Sequence, residues 1–210
     1  PIPQNPEFNA DALMVRAFGV RERFLGVTLI VGDGGEGDDV LTIEAGIAIN
    51  ASLSGGEDND VIISSAGSDS LFGGAGQDVL DGGEGEDTID GGSEDDVIRA
   101  RLGADRIEGG DGFDQIDYSA SASSITLTRN GGELNGSGGL AEGDLLTNVE
   151  YIIGSQFNDF ITGDESNDNT LEGQDGDDTL HGGVGADFIF GGAGADVVNG
   201  RGGGDDVLSY

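Results

Sequence analysis

Aliphatic residues recur at every ninth position between residues 55 and 117. This stretch divides into seven consecutive nonamers without a gap, and the eighth place of each is aliphatic: Ile62, Leu71, Leu80, Ile89, Ile98, Ile107 and Ile116. A fixed interval of this kind indicates a repeated structural unit that buries its apolar side chains against neighbouring copies. The pattern therefore predicts a repeat array in which each nonamer contributes one aliphatic residue.

The polar positions follow the same period. The sixth place of every nonamer is aspartate: Asp60, Asp69, Asp78, Asp87, Asp96, Asp105 and Asp114. Glycine is frequent at the first, second and fourth places, where a tight turn requires positive φ or close backbone approach. Nonamers 73–81 and 82–90 match G-G-x-G-x-D-x-U-x throughout, U being a large apolar residue. A Gly/Asp-rich tract is commonly a flexible linker, but a linker does not explain this register.

A second, less regular array begins at Gly154. It carries the sixth-place acid at Asp159, Asp178, Asp187, Asp196 and Asp206, and it contains two ten-residue repeats, 163–172 and 200–209. Asn169 stands where the first of these would carry aspartate, which weakens its turn as an acidic site. A single earlier copy, GGEGDDVLT at 34–42, supplies Asp39.

Residues 118–153, between the arrays, lack the aspartate register. The segment is 36 residues long, which equals four repeat lengths and could preserve the stacking phase. Ile125–Thr128 and Val149–Ile153 are predicted to be strands around a glycine-rich connection.

Residues 1–31 contain no repeat. Residues 12–18 are compatible with a short helix or a strand, and Val27–Val31 is predicted to be a strand. The predicted organisation is 1–31 as a cap or the end of a preceding domain, 32–117 as the first array, 118–153 as a β insert and 154–210 as the second array. The last residues stop in mid-pattern, so we expect a piece of a longer protein.

Composition adds that the chain is strongly acidic. It contains 42 Asp and Glu residues against eight arginines and no lysine, for a formal net charge of −34. Low hydrophobicity with high net charge is a signature of disorder, and the charge argues against double-stranded nucleic acid and anionic membranes as partners. No apolar run approaches the roughly 20 residues of a membrane span. Without cysteine there is no disulfide framework. The chain requires a cation.

In these features the chain resembles the RTX family, the haemolysin-type calcium-binding nonapeptide repeats of secreted bacterial proteins. The resemblance covers 34–42, 55–117 and 154–209, and the insert with the following GSQFND is similar to segments found between RTX blocks. It implies an all-β fold, a right-handed parallel β-roll in which each nonamer forms a six-residue turn and a three-residue strand, two nonamers making one coil. It also implies a secreted, extracellular or cell-surface bacterial protein.

A β-roll would bring the acidic turns together. Only the middle side chain of an x-U-x strand faces inward, and successive coils lie about 4.7–4.9 Å apart, so Asp78 and Asp96 become neighbours. Two charges at about 4 Å repel by roughly 1 kcal/mol in water and by about 4 at an effective dielectric of 20. Calcium takes six to eight oxygens at about 2.3–2.6 Å and could join stacked aspartates, with backbone carbonyls completing its shell. Magnesium prefers a tighter octahedral site, and softer metals would find no thiolate here.

The predicted metal ligands are therefore the sixth-place aspartates and the glycine-rich turns. The acids are Asp39, Asp60, Asp69, Asp78, Asp87, Asp96, Asp105, Asp114, Asp159, Asp178, Asp187, Asp196 and Asp206. The turn residues are Gly73, Gly74, Ala75, Gly76, Gly91, Gly92, Ser93, Gly109, Asp111, Gly182, Val184, Gly191, Gly192 and Gly194. Stacked in pairs, these turns would bind about ten Ca2+ ions.

Alternate nonamers differ in their turns. Turns 55–60, 73–78, 91–96 and 109–114 all begin with Gly-Gly, whereas on the other side only one of turns 64–69, 82–87 and 100–105 does so. We therefore expect calcium to be better ordered on the first side. Asp58 and Glu94 replace a fourth-place glycine there, at some cost in backbone strain. Arg101 is expected to substitute in part for a cation between turns 82–87 and 100–105. In the second array, the turn pairs beginning at 173/191 and 182/202 are the strongest candidates.

Other motifs in the sequence give little evidence for a different binding site or for catalysis. The G-x-G-x-x-G match at 32–37 lies inside a nonamer rather than between a strand and a helix, and Asp164–Asp168 lacks the glycine and glutamate of an EF-hand. His181, the only histidine, is expected at an outward, solvated position. With one histidine, no cysteine and no lysine, nucleophile–base pairs are scarce. We identify no catalytic residue and no organic cofactor site, and expect no enzyme activity in this chain.

Two functions are compatible with the sequence. The first is a calcium-binding module that folds on Ca2+ binding outside the cell, supporting type I secretion and the stability of a larger exoprotein; type I export is implied by the resemblance. The second is an adhesive or polysaccharide-binding module of an RTX adhesin or polysaccharide-modifying enzyme. Expected partners are calcium ions, domains of the parent exoprotein, the type I secretion machinery and, for the second function, a polysaccharide. Adaptation to high salt would explain the net charge but not the register.

Overall fold

The structure is a computed structural model that describes residues 12–17, 20–164 and 167–210. Residues 1–11 and 18–19 of the predicted N-terminal unit lie outside the described residues. The described strands are β1 (Ala12–Ala17), β2 (Val20–Leu25), β3 (Ile30–Glu36), β4 (Val40–Thr42), β5 (Ala51–Glu57), β6 (Val61–Ile63), β7 (Ser70–Ala75), β8 (Val79–Gly83), β9 (Thr88–Ser93), β10 (Val97–Ala100), β11 (Arg106–Asp111), β12 (Gln115–Asp117), β13 (Thr126–Asn130), β14 (Glu133–Ser137), β15 (Leu145–Thr147), β16 (Tyr151–Ile153), β17 (Phe160–Thr162), β18 (Thr170–Glu172), β19 (Thr179–Gly183), β20 (Phe188–Phe190), β21 (Val197–Arg201) and β22 (Val207–Ser209). One 3-10 helix, Gly139–Ala141, interrupts the series. The all-β class is confirmed.

Two long sheets face each other across the core. Sheet I has nine strands in the order β4-β6-β8-β10-β12-β16-β18-β20-β22, and sheet II has eleven in the order β3-β5-β7-β9-β11-β15-β14-β13-β17-β19-β21. Within the arrays the chain alternates between the sheets, and each strand pairs in parallel with the strand two further along. Ile62 pairs with Leu80 and Leu71 with Ile89, a step of 18 residues. This confirms a parallel β-solenoid with two nonamers per coil.

The aliphatic ladder forms the core. All seven eighth-place residues of the first array are at most 1% exposed, as the nonamer pattern predicted. Burying each of these side chains contributes roughly 1.5–3 kcal/mol relative to exposure. The ladder continues in the second array to Ile189 and then opens, because Leu208 in β22 is 40% exposed.

Sheet II strands of the first array are longer than the three residues expected. Strand β7 continues from the x-U-x triplet into the glycines of the next turn, so that Gly74 pairs with Gly56 on one side and with Gly92 on the other. Gly74 has φ 122°, and a methyl group there would lie 2.2 Å from the carbonyl oxygen of Gly56. Only glycine allows the backbones to stack this closely.

The insert is part of both sheets. In sheet I, β12 pairs directly with β16, Ile116 lying opposite Ile152, so 36 residues of chain produce one strand step. In sheet II, β15 pairs with β11, and the antiparallel pair β14–β13 follows before β17. Buried residues of the insert include Tyr118, Leu127 and Leu146, each fully inaccessible. The core therefore runs through the segment without a gap.

The predicted strands of the insert exist with shifted ends, as β13 and β16. Strands β14 and β15 were not predicted; they lie in the segment expected to be a glycine-rich connection. Strand β14 is held by antiparallel pairing to β13 across a turn at Gly131, which has φ 74°. The sequence of β14 (ELNGS) does not predict a strand, because β14 is stabilised by its pairing with β13 rather than by local propensity.

The N-terminal segment contains a hairpin. The helix-or-strand alternative at residues 12–18 resolves as strand β1, which pairs antiparallel with β2. The strand expected at Val27–Val31 begins only at Ile30, where it meets Ala51 of β5. None of the described helices has the length and apolar character needed to cross a membrane. The division of the chain at residues 31, 117 and 153 stays a prediction.

Candidate metal centres

Two columns of acidic side chains run along the roll. Column I consists of the residues that directly precede the strands of sheet I: Asp39, Asp60, Asp78, Asp96, Asp114, Glu150, Asn169, Asp187 and Asp206. Column II precedes seven strands of sheet II: Asp69, Asp87, Asp105, Asp144, Asp159, Asp178 and Asp196. The structure thus brings all thirteen predicted aspartates into two files. Ten of them are buried, and Asp39, Asp196 and Asp206 are half-buried.

One oxygen of each typical column carboxylate is bound by the neighbouring coil. In column I the backbone N–H of Asp78 donates to Oδ1 of Asp96 at 2.8 Å. In column II the N–H of Asp87 donates to Oδ1 of Asp105 at 2.9 Å. The sixth-place aspartate therefore has a structural role before any ion is considered, because it satisfies a buried N–H of the coil before it.

The other oxygen of most column aspartates is buried and accepts no hydrogen bond from the described residues. The Oδ2 atoms concerned belong to Asp60, Asp78, Asp87, Asp96, Asp105, Asp114, Asp178, Asp187 and Asp196. A buried carboxylate oxygen without a donor is costly, and natural structures rarely leave such atoms unsatisfied. These atoms are therefore candidate ligands for cations.

A backbone oxygen accompanies each of several such carboxylates. A methyl group on Gly73 would place its carbon 2.3 Å from Oδ2 of Asp78 and 2.4 Å from the carbonyl oxygen of Gly91. The same pair of neighbours surrounds Gly173, with Oδ2 of Asp178 at 2.3 Å and the carbonyl oxygen of Gly191 at 2.5 Å. Because both atoms lie close to one point, they converge across the first-place glycine. Hard oxygen donors of this kind suit Ca2+.

Burial changes the protonation of the columns. It raises the pKa of Asp87 and Asp96 to about 7, and the charges of neighbouring column aspartates add to the rise. Burial also raises the pKa of Asp105, Asp114 and Asp178 to about 6. Asp87 and Asp96 are thus partly protonated at neutral pH in a metal-free roll, and a nearby divalent cation would favour the ionised form of all five carboxylates.

Two predicted ligands differ from the rest because the protein itself binds the carboxylate more fully. The hydroxyl of Ser64 donates to Oδ2 of Asp69. The backbone N–H of Ser155 donates to Oδ2 of Asp159 at 2.6 Å, and its hydroxyl donates to Oδ1 at 2.7 Å. Asn169 behaves similarly, because its Nδ2 donates to backbone carbonyls of its own turn. A metal ion is therefore less necessary at these positions than at the nine aspartates whose Oδ2 has no protein donor.

The predicted turn residues take three kinds of position. The first-place glycines Gly73, Gly91, Gly109, Gly182 and Gly191 are buried beside the aspartate of their own turn. Second- and third-place residues pair between coils or face outward: Gly74, Gly92, Gly192, Ala75, Ser93, Asp111 and Val184. The fourth-place Gly76 and Gly194 have φ 128° and 159°, against the preceding coil. Their role as calcium ligands stays a prediction.

The expected strain at two fourth-place acids is confirmed. Asp58 and Glu94 both adopt φ 77°, in the left-handed region that disfavours side chains. Oδ2 of Asp58 accepts the backbone N–H of Gly37 at 3.1 Å, which compensates part of the cost.

Arg101 does not act between turns 82–87 and 100–105 as expected. Its Nε donates to Oδ1 and Oδ2 of Asp81 at 3.0 and 3.2 Å, forming an ion pair with the residue before turn 82–87. Oδ2 of Asp87 and of Asp105 stays without a protein donor. The arginine therefore neutralises a buried acid outside the columns.

His181 also differs from expectation. Its side chain is half-buried rather than solvated, and its ring packs edge-on against Phe160 with centroids 5.5 Å apart. Burial lowers the pKa of His181, and the charge of Arg201 adds to the effect. A neutral histidine in this packing is a structural residue.

Two column members, Asp144 and Glu150, were not predicted from the sequence. Oδ1 of Asp144 accepts the N–H of Asp105 at 2.9 Å, and Oε2 of Glu150 accepts the N–H of Asp114 at 3.1 Å. A signal existed, because each acid stands two residues before a buried aliphatic residue, as in the nonamer. The register is hidden because Gly139 is the only glycine at the first, second or fourth place before Asp144, and residues 145–148, before Glu150, contain no glycine.

Within the described part of the chain, no group of three or more His, Asp or Glu side chains converges as a metal site. The candidate centres at Gly55, Gly73, Gly91, Gly109 and Gly173 instead each combine one carboxylate oxygen with one backbone carbonyl oxygen. Calcium accepts such carbonyl-rich shells, whereas a carboxylate cluster is not required.

Comparison with known proteins agrees with this arrangement. A family model described as the RTX calcium-binding nonapeptide repeat matches four times, at residues 54–89, 81–116, 147–171 and 172–208. No curated protein matches the chain. The third copy begins inside the insert, near the column residue Glu150.

Proposed function

The chain belongs to the RTX calcium-binding nonapeptide repeat family and is a calcium-binding β-roll module; from this premise we propose that its ions are held between coils by column aspartates and turn carbonyls. The observation that carries the proposal is the row of nine buried Oδ2 atoms without a protein donor. A cation would satisfy each of them, and at Gly55, Gly73, Gly91, Gly109 and Gly173 the first-place glycine leaves room for a backbone carbonyl oxygen beside the carboxylate.

Column I supports the expected preference for the first side. The pairing of a free Oδ2 with the next coil's glycine carbonyl recurs at Gly55, Gly73 and Gly91. Column II contains the two serine-bound aspartates and Asp144, whose oxygens also have protein donors. We propose that the better ordered ions lie along column I.

The chain would fold as it binds. Without a counter-ion the columns place buried acids one strand spacing apart, about 4.8 Å, and this repulsion opposes folding of the arrays. When bound, calcium supplies positive charge and oxygen coordination between coils. About ten ions at two charges each would reduce the net charge from −34 to about −14. Binding energy then becomes folding energy.

This coupling suits a bacterial exoprotein exported by type I secretion. An extended, calcium-poor chain would pass through a channel, and millimolar calcium outside the cell would fold it. In this proposal the module is non-catalytic, lies extracellularly or at the cell surface, and stabilises further domains of a larger protein.

Circular dichroism and small-angle scattering of the full chain test the proposal. In millimolar calcium we expect the β-signal and a compact radius of gyration, and in chelator we expect both to be lost. Magnesium at the same concentration serves as the control and should restore little, because it demands shorter bonds and retains its waters. A β-signal unchanged by chelator would refute the proposal.

A polysaccharide-binding role is the second candidate. Strand β20 presents Phe188 and Phe190 outward from sheet I, 49% and 40% exposed. Two exposed aromatic rings on one strand present apolar faces suited to stacking on a sugar ring. Glycan-array binding of the calcium-loaded chain would support this role, and loss of that binding in the F188A/F190A variant would assign it to β20.

A further inference from the structure

The nine column aspartates whose Oδ2 has no protein donor lie in two separate groups. Six of them precede residue 118 and three follow residue 172: Asp60, Asp78, Asp87, Asp96, Asp105 and Asp114, then Asp178, Asp187 and Asp196. Between the groups lie the column residues Asp144, Glu150, Asp159 and Asn169, and among the described residues none of these four has a buried polar atom without a partner. We call residues 118–172 the central segment; the arrays with unsatisfied oxygens flank it on both sides.

Column II crosses the central segment on protein donors alone. The hydroxyl of Tyr118 donates to Oδ2 of Asp144 at 2.8 Å, and the N–H of Asp105 donates to Oδ1 at 2.9 Å. At Asp159 the backbone N–H of Ser155 donates to Oδ2 at 2.6 Å, and the Ser155 hydroxyl donates to Oδ1 at 2.7 Å. Each oxygen of both buried carboxylates therefore has a donor, which removes the cost that an unsatisfied buried acid imposes.

Column I is completed in the same way within the central segment. Oε2 of Glu150 accepts the N–H of Asp114 at 3.1 Å, and its Oε1 accepts Nδ2 of Asn167 at 2.8 Å. At the next position Asn169 is neutral, its Oδ1 accepting the N–H of Asp164 at 2.7 Å and its Nδ2 donating to the Asp164 carbonyl at 2.8 Å. The stacked coils of this segment are thus joined without a position that requires a cation.

The central segment also has a denser apolar core than the arrays. About a quarter of the chain supplies ten of the 21 buried apolar residues: Tyr118, Ile125, Leu127, Leu134, Ala141, Leu146, Val149, Ile152, Ile161 and Leu171. A nonamer of the first array, by comparison, contributes one eighth-place aliphatic residue. The meander β13–β14–β15 pairs antiparallel between strands that are neighbours in sequence, and local pairing of this kind forms quickly. Apolar burial and local contacts therefore favour this segment over its flanks.

In a solenoid each coil contacts only its neighbours, so folding begins where the local sum of stabilities is most favourable and then propagates. We propose that the central segment is the folding nucleus of the roll, holding no ion between its own coils, and that both arrays close onto it outward as calcium binds. This inference rests on the proposed function for the calcium dependence of the arrays, and it adds where folding begins and in which directions it proceeds.

The central segment still depends on the array coils beside it. Its outer strands, β15 and β17 in sheet II and β16 and β18 in sheet I, pair with strands of the arrays. Without those partners the segment would have open edges and only a few strands in each sheet, which limits its stability in isolation. We therefore expect it to be the first part of the chain to become ordered as calcium rises, when the adjoining coils begin to close.

Hydrogen exchange of the full chain, followed by mass spectrometry from chelator to millimolar calcium, tests the order of closing. We expect peptides that cover β13–β17 to become protected at lower calcium than peptides that cover β5–β8 or β19–β21. Protection that begins in either array, or that rises in all peptides together, would overturn the inference. Protection that does not respond to calcium anywhere in the chain would instead reject the proposed function.

Two matched deletions of a hydroxyl donor separate a nucleus from an ordinary coil. Tyr118→Phe leaves Oδ2 of Asp144 without its donor, and Ser64→Ala does the same to Asp69 in the first array. We expect Tyr118→Phe to shift the protection of both β5–β8 and β19–β21 to higher calcium, and Ser64→Ala to shift β5–β8 but not β19–β21. Unshifted arrays in Tyr118→Phe, or the same shift of β19–β21 in both variants, would contradict the nucleus.

A milder variant covers the case in which Tyr118→Phe fails to fold. In Ser155→Ala the backbone N–H still binds Oδ2 of Asp159, and only the hydroxyl donor to Oδ1 is lost. We expect a smaller shift of both arrays to higher calcium. An effect confined to β17 and its direct neighbours would again overturn the inference.

Discussion

The backbone N–H of Asp78 donates to Oδ1 of Asp96 at 2.8 Å, while Oδ2 of the same Asp96 is buried without a protein donor. The two oxygens of this carboxylate thus have different roles. Oδ1 joins adjacent coils by accepting a backbone hydrogen bond, and Oδ2 faces the space between Gly91 and the carbonyl of the following coil. A substitution that keeps the hydrogen bond to Oδ1 but removes the charged Oδ2 should therefore separate folding from calcium binding.

Replacing Asp96 with asparagine tests the second oxygen. The amide can still accept the Asp78 N–H, but its NH2 group would face the site meant for a cation. At calcium one hundred-fold above Kd, the loss of one ion lowers the free energy of unfolding by about 2.7 kcal/mol. Chemical denaturation in calcium measures the change. Asp69→Asn is the control, with a smaller effect expected because Ser64 already binds Oδ2 of Asp69; equal effects would refute this division of tasks.

The first-place glycine leaves space that a side chain would fill. In Gly73→Ala the new methyl would lie 2.3 Å from Oδ2 of Asp78 and 2.4 Å from the Gly91 carbonyl oxygen. We expect a loss of about 1–3 kcal/mol in unfolding free energy from overpacking, together with weaker calcium binding by calorimetry. At Gly132 a methyl would meet nothing within 4 Å, so Gly132→Ala should change stability by no more than about 0.5 kcal/mol. Similar losses in both variants would count against a cradle at Gly73.

Metal-free chain should gain structure in acid. Burial raises the pKa of Asp87 and Asp96 to about 7, above the value of about 3.9 in an unfolded chain. A raised pKa in the folded state contributes stability that is fully present below the unfolded value and is lost as the pH rises through about 7. Circular dichroism in chelator should therefore show more β-structure near pH 5 than near pH 8.

Protons and calcium should compete for the same carboxylates. The folded chain should bind calcium more weakly as the pH falls below about 6, because burial raises the pKa of Asp105 and Asp114 to about 6 and their protonated forms are poorer ligands. Calcium titrations by calorimetry at pH 5 and pH 7 measure the change in affinity. A metal-free chain with equal β-content at pH 5 and pH 8 would disagree with the burial of these groups.

The hairpin of the insert is tied to the second array by an ion pair. Arg129 in β13 contacts Oδ1 of Asp164 at 3.0 Å, and both side chains are largely buried, 16% and 11% exposed. We expect Arg129→Gln to lower the free energy of unfolding by about 1–3 kcal/mol. Hydrogen exchange should then speed up in β13 and β17. The exposed pair Arg106–Glu133 is the control, and Arg106→Gln should change stability by less than about 1 kcal/mol.

The repeat register predicted most of the fold. An aliphatic residue every ninth position was sufficient to place the core, and Ile62 and Leu71 lie in facing sheets as two nonamers per coil require. The fixed aspartate likewise placed the columns. Both succeed because stacking identical units leaves few alternatives, so local pattern and global fold agree.

The details that sequence could not supply depend on side-chain partners. Ser64 looks like a simple loss of glycine, and only its rotamer in the turn shows that it satisfies Asp69. Arg101 could have faced either the columns or Asp81, and the closer buried acid decided the outcome. Strand β14 is formed by its pairing with β13, and no local pattern reveals such a partner.

The two sheets are unequal at the insert. Between β12 and β18 sheet I takes two strand steps, whereas between β11 and β17 sheet II takes four. At about 4.8 Å per step, sheet II must accommodate roughly 10 Å more length than the sheet it faces. The axis of the roll must therefore turn towards sheet I, or sheet II must arch away from the core. If sheet II arches, a linear polymer could follow sheet I straight through the insert but would change direction along sheet II; if the axis turns, its path would bend along both sheets.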